Sequence, residues 1–198
     1  MAHEHDHEDD HGHEHGEVRD DVDLDAEAEA RRRLALAQIR QYPDTALRLK
    51  AKDVDEFDDD LRRLVDRMID LMHDAQGVGL AATQVGVLRR LFVFEAGDEG
   101  ARAVVNPRIV DRSAETDTDE EGCLSLQGVR VPVERAAHVA IECHDVSGDD
   151  VRYELDALGS RVVQHELDHL DGVLIIDRTD DEHRKEALAV LRPQPIIG

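Results

Sequence analysis

Two histidines and a glutamate in one short segment have the spacing of a metal site. His165 and His169 lie four residues apart, so in a helix both imidazoles project from one face and can reach the same ion. Glu166 follows the first histidine directly, where it can take a proton from a water on that ion. The pattern indicates a metal-dependent hydrolase. Chance histidines on a solvated helix face are the alternative interpretation.

Two protein ligands leave such a site incomplete, and the sequence offers two candidates for the third. Cys123 could supply a thiolate, and the preceding Gly122 permits close backbone approach. Asp177, downstream of the histidines, is the other candidate. A free cysteine is most often a small buried side chain, a description that suits Cys143, in an apolar segment, better. Two cysteines are too few for a disulfide framework, so we expect both to be thiols.

A glycine-rich segment upstream could bind a substrate. Gly77, Val78 and Gly79 open a run of small residues that ends at Gln84. Glycines let a backbone approach a substrate closely, and the Gln84 amide could donate to a developing oxyanion. Taken alone, the segment is described better as a helix C-cap followed by a tight loop.

Hydrophobic periodicity predicts the elements that position these residues. Apolar residues at helical spacing predict an amphipathic helix over about 56–73, ended by the two glycines, and further helices over about 158–170 and 181–191. Apolar runs predict strands at 91–94, 103–105, 130–133 and 139–143. The expected class is α+β, with antiparallel strands packed around a central metal-binding helix, an N-terminal amphipathic helix and a C-terminal helix.

Charge separates a tail from the rest of the 198-residue chain. The net charge is -23, and residues 1–30 hold thirteen acidic residues against one arginine, interspersed with histidines. We expect this His/Asp/Glu-rich tail to be disordered and residues 31–198 to form one catalytic domain. The tail could capture transition-metal ions weakly or could simply be solvated. So acidic a chain is not expected to bind nucleic acid. Because no segment is apolar enough for secretion or a membrane span, the expected location is cytoplasmic.

Taken together, three segments resemble the peptide deformylase family. The family's motifs occur in its order as 77–84, 121–125 and 164–170, and the resemblance extends from about residue 34 to 191. It implies hydrolysis of the N-formyl group from the methionine that begins newly synthesised proteins, with release of formate. The chain departs from the family where Leu126, Gln127 and Gly128 replace the usual apolar residue, proline and glycine.

The resemblance also implies a metal and a proton carrier. Cys123, His165 and His169 would hold Fe²⁺, with Zn²⁺, Ni²⁺ or Co²⁺ as replacements. Glu166 would act as general base and then as the acid that protonates the leaving amine.

Further residues would bind the substrate. Gln84 and the backbone N–H of Leu124 would stabilise the oxyanion, and the loop from Gly77 to Gly79 would hydrogen-bond the peptide backbone. The methionine side chain would enter an apolar pocket lined by Val78, Leu158 and Val162.

The partners would be nascent formyl-methionyl peptides, met at the ribosome, although no basic helix ends the chain. Two other functions are weighed against this one. A zinc endopeptidase shares the helix motif but needs Asp177 as its third ligand. A catalytically inactive relative could act as a metal-binding protein through its His-rich tail.

Overall fold

The fold is described by a computed structural model that covers the backbone of residues 17–192 and the side chains of residues 25–192. Its helices are α1 (Glu17–Leu36), α2 (Asp59–Asp74), α3 (Ala157–Leu170) and α4 (Asp181–Val190). Its strands are β1 (Gly79–Ala81), β2 (Leu91–Phe94), β3 (Arg102–Arg112), β4 (Thr116–Gly122), β5 (Arg130–Ala136), β6 (His138–His144) and β7 (Asp150–Asp156). Short 3₁₀ turns lie at Thr45–Arg48, Ala82–Val85 and Ile175–Asp177.

The strands form two antiparallel sheets. One has five strands in the order β1-β2-β3-β6-β7, so that β1 is an edge strand, and the other pairs β4 with β5. A tight turn over residues 145–149 joins β6 to β7 as a hairpin. The predicted α+β class with antiparallel strands is confirmed.

Helix α3 is buried on most of its circumference. Its apolar residues pack on the five-stranded sheet, where Val163 and Leu170 belong to the same buried cluster as Phe92 and Ile141. Its polar residues face β5, and Gln164 bonds to both backbone groups of Ala136 at 3.2 and 3.0 Å. A helix held on both sides positions the side chains it carries rigidly.

Helix α2 is the predicted amphipathic helix. The Asp58 side chain caps its first turn by accepting from the Leu61 N–H at 2.9 Å. Its buried face includes Met68 and Met72, neither of which is exposed. The residue that leaves the helix with positive φ is Gln76, at 57°, rather than either of the predicted glycines.

The predicted boundary of the N-terminal tail is corrected. Residues 17–30, assigned to the disordered tail, belong to helix α1, so α2 is not the first helix. The physical reason is that residues 26–35 consist almost entirely of Ala, Glu and Arg, which are strong helix formers. The end of the helix also buries Ala35 and Leu36 in the core that α2 completes. The tail histidines, all between residues 3 and 15, lie outside the described residues.

Three strands were not predicted. Strand β4 has mostly exposed polar residues, β1 is only three residues long, and β7 alternates half-buried with exposed positions. Strands β4 and β1 carry little of the apolar pattern that identifies a strand, whereas β7 alternates Val151, Tyr153 and Leu155 with polar residues, the pattern of a half-buried strand. No helix in the described part of the chain is long and apolar enough to cross a membrane.

Candidate active site

The predicted metal ligands come together between α3 and the end of β4. The ligand atoms of Cys123, His165 and His169 all lie within 4.8 Å of one another. Cys123 Sγ is 3.2 Å from His169 Nε2. Asp177, the other candidate, is instead paired with Arg48 and accepts a hydrogen bond from the Leu174 N–H at 2.9 Å. The structure therefore favours Cys123 as the third member of the cluster.

The donor set fits a divalent metal ion. One sulfur and two imidazoles suit borderline ions such as Zn²⁺ and Fe²⁺. Burial lowers the pKa of His169 well below its usual value, which keeps its imidazole neutral, the form that binds metals. Both cysteines are free thiols as predicted, but Cys143 is buried in β6 and only Cys123 lies in this cluster.

Glu121 orients one of the histidines. Its carboxylate Oε2 lies 3.0 Å from His165 Nδ1, and its oxygens also accept from Arg135 and Arg161 at 2.9 Å. Burial alone would raise the pKa of Glu121, but hydrogen bonds from Arg135 and His165 outweigh burial and lower it to about 2. An ionised carboxylate only accepts hydrogen bonds, so it holds a proton on His165 Nδ1 and directs Nε2 toward the cluster as a candidate ligand atom. Glu121 lies in the 121–125 motif, but no role was predicted for it from the sequence.

A buried charge network supports Glu121 from behind. Arg135, which is 6% exposed, also donates to Asp168 Oδ2 at 2.6 Å. Asp168 in turn accepts from Arg178 Nε at 3.0 Å. Charges buried in this way persist because each has a partner, and removing one member leaves the next uncompensated. The network couples the histidine-bearing helix to β4 and β5.

Glu166 is a buried carboxyl beside the cluster. It is 3% exposed, and within the described residues its Oε2 makes no hydrogen bond. Burial raises the pKa of Glu166 to about 7. A carboxyl with such a pKa can both take and return a proton near neutral pH.

Gly79 leaves the space that Glu166 occupies. A Cβ atom on Gly79 would overlap Glu166 Oε1 and would lie 2.9 Å from its Cδ. The absence of a side chain at this position is therefore a condition for the observed position of the carboxylate.

We expect Gly79→Ala to displace Glu166. The kcat of the hydrolysis carried out at this site should then fall about a hundredfold, because a shift of about 1 Å in a reacting group has effects of that size. The comparison is Gly77→Ala, whose Cβ would come within 2.8 Å only of the movable end of the Leu124 side chain. Its kcat should fall much less. Steady-state kinetics with thermal unfolding as a check on folding would measure both, and equal losses of kcat would contradict this explanation.

The two predicted oxyanion donors lie next to Cys123. Gln84 is 1% exposed, its Oε1 accepts from the Ala81 N–H at 2.8 Å, and its Nε2 lies 3.0 Å from Ser125 Oγ and 3.7 Å from Cys123 Sγ. The Leu124 carbonyl accepts from Gln41 at 3.0 Å, while no acceptor among the described residues engages its N–H. Both groups are held in place and border the cluster.

A cleft of about 760 Å³ leads to the cluster. The predicted substrate-binding residues line it, namely Gly77, Val78, Gly79, Leu158 and Val162. Val78 and Leu158 are about half exposed, whereas Val162 is buried. Gln127 and Gly128, where the sequence departs from the family pattern, also line this cleft. So do Arg32 and Leu36 of α1, which were not predicted.

The fold and the site define a class of protein: an α+β protein with a possible metal site of one cysteine and two histidines and a buried glutamate beside it. A sequence profile described as polypeptide deformylase matches residues 36–185. The chain belongs to the polypeptide deformylase family.

Individual relatives agree with this assignment. A peptide deformylase of Thermotoga neapolitana is 48% identical over 141 residues, which are 71% of this chain and 85% of the relative. Peptide deformylase 1 of Clostridium perfringens is 45% identical over 73% of this chain and 98% of its own length.

Solved structures are also similar. The crystal structure of the Thermotoga maritima peptide deformylase has a TM-score of 0.70 and 45% identity, and the match covers 72% of this chain and 96% of that one. The peptide deformylase from Legionella pneumophila has a TM-score of 0.74 and 38% identity over 77% and 91% of the two chains.

Family membership confirms the predicted enzyme class and function, which is removal of the N-formyl group from newly synthesised polypeptides by a metal-dependent hydrolase. The endopeptidase and metal-buffering alternatives are not favoured.

Proposed function

We propose that this site performs the deformylation with Cys123, His165 and His169 as metal ligands and with Glu166 as the residue that moves the proton. The observation that carries the proposal is the buried Oε2 of Glu166, which lies beside the three-residue cluster and has no hydrogen-bond partner within residues 25–192. A buried carboxyl oxygen without a hydrogen bond is costly unless a substrate or water engages it.

We propose Fe²⁺ as the native ion, with Zn²⁺, Ni²⁺ or Co²⁺ able to replace it, because sulfur and imidazole ligands accept all four. When bound, the ion would lower the pKa of the attacking water and polarise the formyl carbonyl. The support is the donor set itself and the neutral state that burial imposes on His169.

The protein groups would divide the remaining work among themselves. The Glu166 carboxylate takes the proton of the attacking water and delivers it to the nitrogen of the leaving amine, two tasks that a pKa of about 7 suits. Gln84 Nε2 and the Leu124 N–H donate to the oxygen on which negative charge develops. Donors held in place before the reaction are effective because they need no reorganisation.

The edge of the five-stranded sheet would bind the peptide backbone. Among the strands of the described residues, β1 pairs only with β2, so the other side of the segment from Gly77 to Gly79 has backbone groups available to an extended peptide. We place the methionine side chain against Val78, Leu158 and Val162. The closeness of Gly79 to Glu166 leaves little room for an acyl group larger than formyl.

We further propose that the substrates are nascent formyl-methionyl peptides at the ribosome, in the cytoplasm. The catalytic domain would include the end of α1, whose Arg32 and Leu36 line the cleft, and would continue from there toward the C-terminus.

The test is release of formate from formyl-Met-Ala-Ser by the full chain, loaded with iron and kept anaerobic. We expect a kcat/KM of at least about 10⁴ M⁻¹s⁻¹, as for an ordinary enzyme on its own substrate. Acetyl-Met-Ala-Ser, which differs by a methyl group, should be hydrolysed far more slowly. Absence of formate release from iron-loaded protein would overturn the proposal.

A further inference from the structure

Helix α1 presents a charged side chain on its inner face. Arg32 shares one face of the helix with Ala28, Ala35 and Leu36, which are partly or fully buried. Its neighbours Arg31 and Arg33 are exposed. An arginine on the inner face of a helix needs a polar space or a partner to face.

The space that Arg32 faces is the cleft of the active site. Arg32 lines that cleft together with Cys123 and Glu166. Leu36, one turn further along α1, belongs to the buried cluster against which Leu124 packs. The end of α1 is thus anchored close to the loop that carries Cys123, although the family profile begins only at residue 36.

Arg32 has no carboxylate within 4.0 Å among the side chains that the structure describes. In contrast, the buried Arg161, which also lines the cleft, is paired with Glu121. Arg130, another lining residue, donates to the backbone carbonyl of Glu120 at 3.1 Å. The chain has 47 acidic and 24 basic residues, so a guanidinium that faces the cleft and has no acidic partner among the described side chains is available to a ligand.

We propose that Arg32 is a specificity-determining residue, whose guanidinium binds an acidic side chain in the part of the nascent peptide that follows the formyl-methionine. This inference rests on the proposed function. A guanidinium and a carboxylate form charge-assisted hydrogen bonds, which are stronger than those between neutral groups. A protein of net charge -23 otherwise repels acidic peptides, so Arg32 compensates for that repulsion inside the cleft.

The experiment compares peptides that differ only in charge. Each peptide begins with formyl-Met and ends in a C-terminal amide. It carries one Glu or one Gln at the second, third or fourth position and alanine at the other positions. The ratio of kcat/KM for Glu over Gln is measured with iron-loaded full chain, with Arg32→Ala and with Arg32→Glu. Arg33→Ala is the matched control, because it removes the same charge from an exposed position on the same helix.

At one peptide position we expect the ratio to fall about threefold to fivefold in Arg32→Ala, the range of a partly exposed ion pair. It should fall further in Arg32→Glu and remain unchanged in Arg33→Ala. In the unsubstituted chain the ratio should shrink at high salt, since salt screens the attraction.

Other results would overturn the inference. Equal ratios in all four proteins, with formate still released, would exclude a role for Arg32 and leave the deformylase function intact. Equal decreases in Arg32→Ala and Arg33→Ala would assign the effect to overall charge. A uniform loss on every peptide with a lowered Tm would show that Arg32 is structural. If the unsubstituted chain released no formate from any peptide, the proposed function itself would fail.

Discussion

Replacing Glu166 with glutamine is expected to lower kcat for formate release by about a thousandfold, within the range that a general acid and base contributes. Glutamine has nearly the same shape, so it preserves packing at a position that is 3% exposed, but it cannot carry a proton from water to the leaving amine. The measurement is kcat with formyl-Met-Ala-Ser, accompanied by elemental analysis and thermal unfolding.

The matched control is Glu120→Gln, the same chemical change in an exposed residue of the cleft wall. It should retain kcat within about twofold, because an exposed charge has little effect on chemistry elsewhere. Both variants should retain the metal. If Glu166→Gln kept full activity with its metal bound, the assignment of Glu166 as the proton carrier would be wrong.

Replacing Cys123 with alanine is expected to remove the metal from the cluster and to abolish activity. Two imidazoles remain, and a site with two protein ligands holds a divalent ion far more weakly than one with three. Loading with Co²⁺ measures the change directly, because a cobalt–thiolate bond produces a charge-transfer absorption band. That band should be present in the unsubstituted chain and absent from Cys123→Ala.

The control is Cys143→Ala, which removes a thiol that is 5% exposed in β6. Burial raises the pKa of the Cys143 thiol to about 11, so this residue is poorly suited to binding a metal as thiolate. Its variant should keep the band. Residues 1–30 contain histidines but no cysteine, so metal held by the tail would not produce the band. Persistence of the band in Cys123→Ala, or its loss in Cys143→Ala, would contradict the proposed ligand set.

Features of the site that depend on near neighbours in the chain were predictable. The spacing of His165 and His169 implied a shared helix face, and α3 contains both. The amphipathic helix α2 was predictable for the same reason, because its apolar residues recur at helical spacing within one segment. Because helix geometry is set by residues three and four apart, a single segment contains the information.

Features that depend on distant segments were not predictable from residue types alone. Residue spacing left Cys123 and Asp177 as alternative candidates for the third ligand. The structure favours Cys123, because Cys123 lies in the cluster and Asp177 forms an ion pair with Arg48. Strand β4 was not predicted because it is stabilised by pairing with β5 and has no apolar pattern of its own.

The sequence by itself therefore determined the helix that carries both histidines, the candidate ligand types and the resemblance that led to the family. Only the tertiary structure decided that Glu121 orients His165, that Gly79 makes room for Glu166 and that Arg32 faces the cleft. The reason is physical. Helical periodicity depends on residues three and four apart in the chain. The contacts among α3, β1 and α1 form only when sheets and helices pack and bury their charges together.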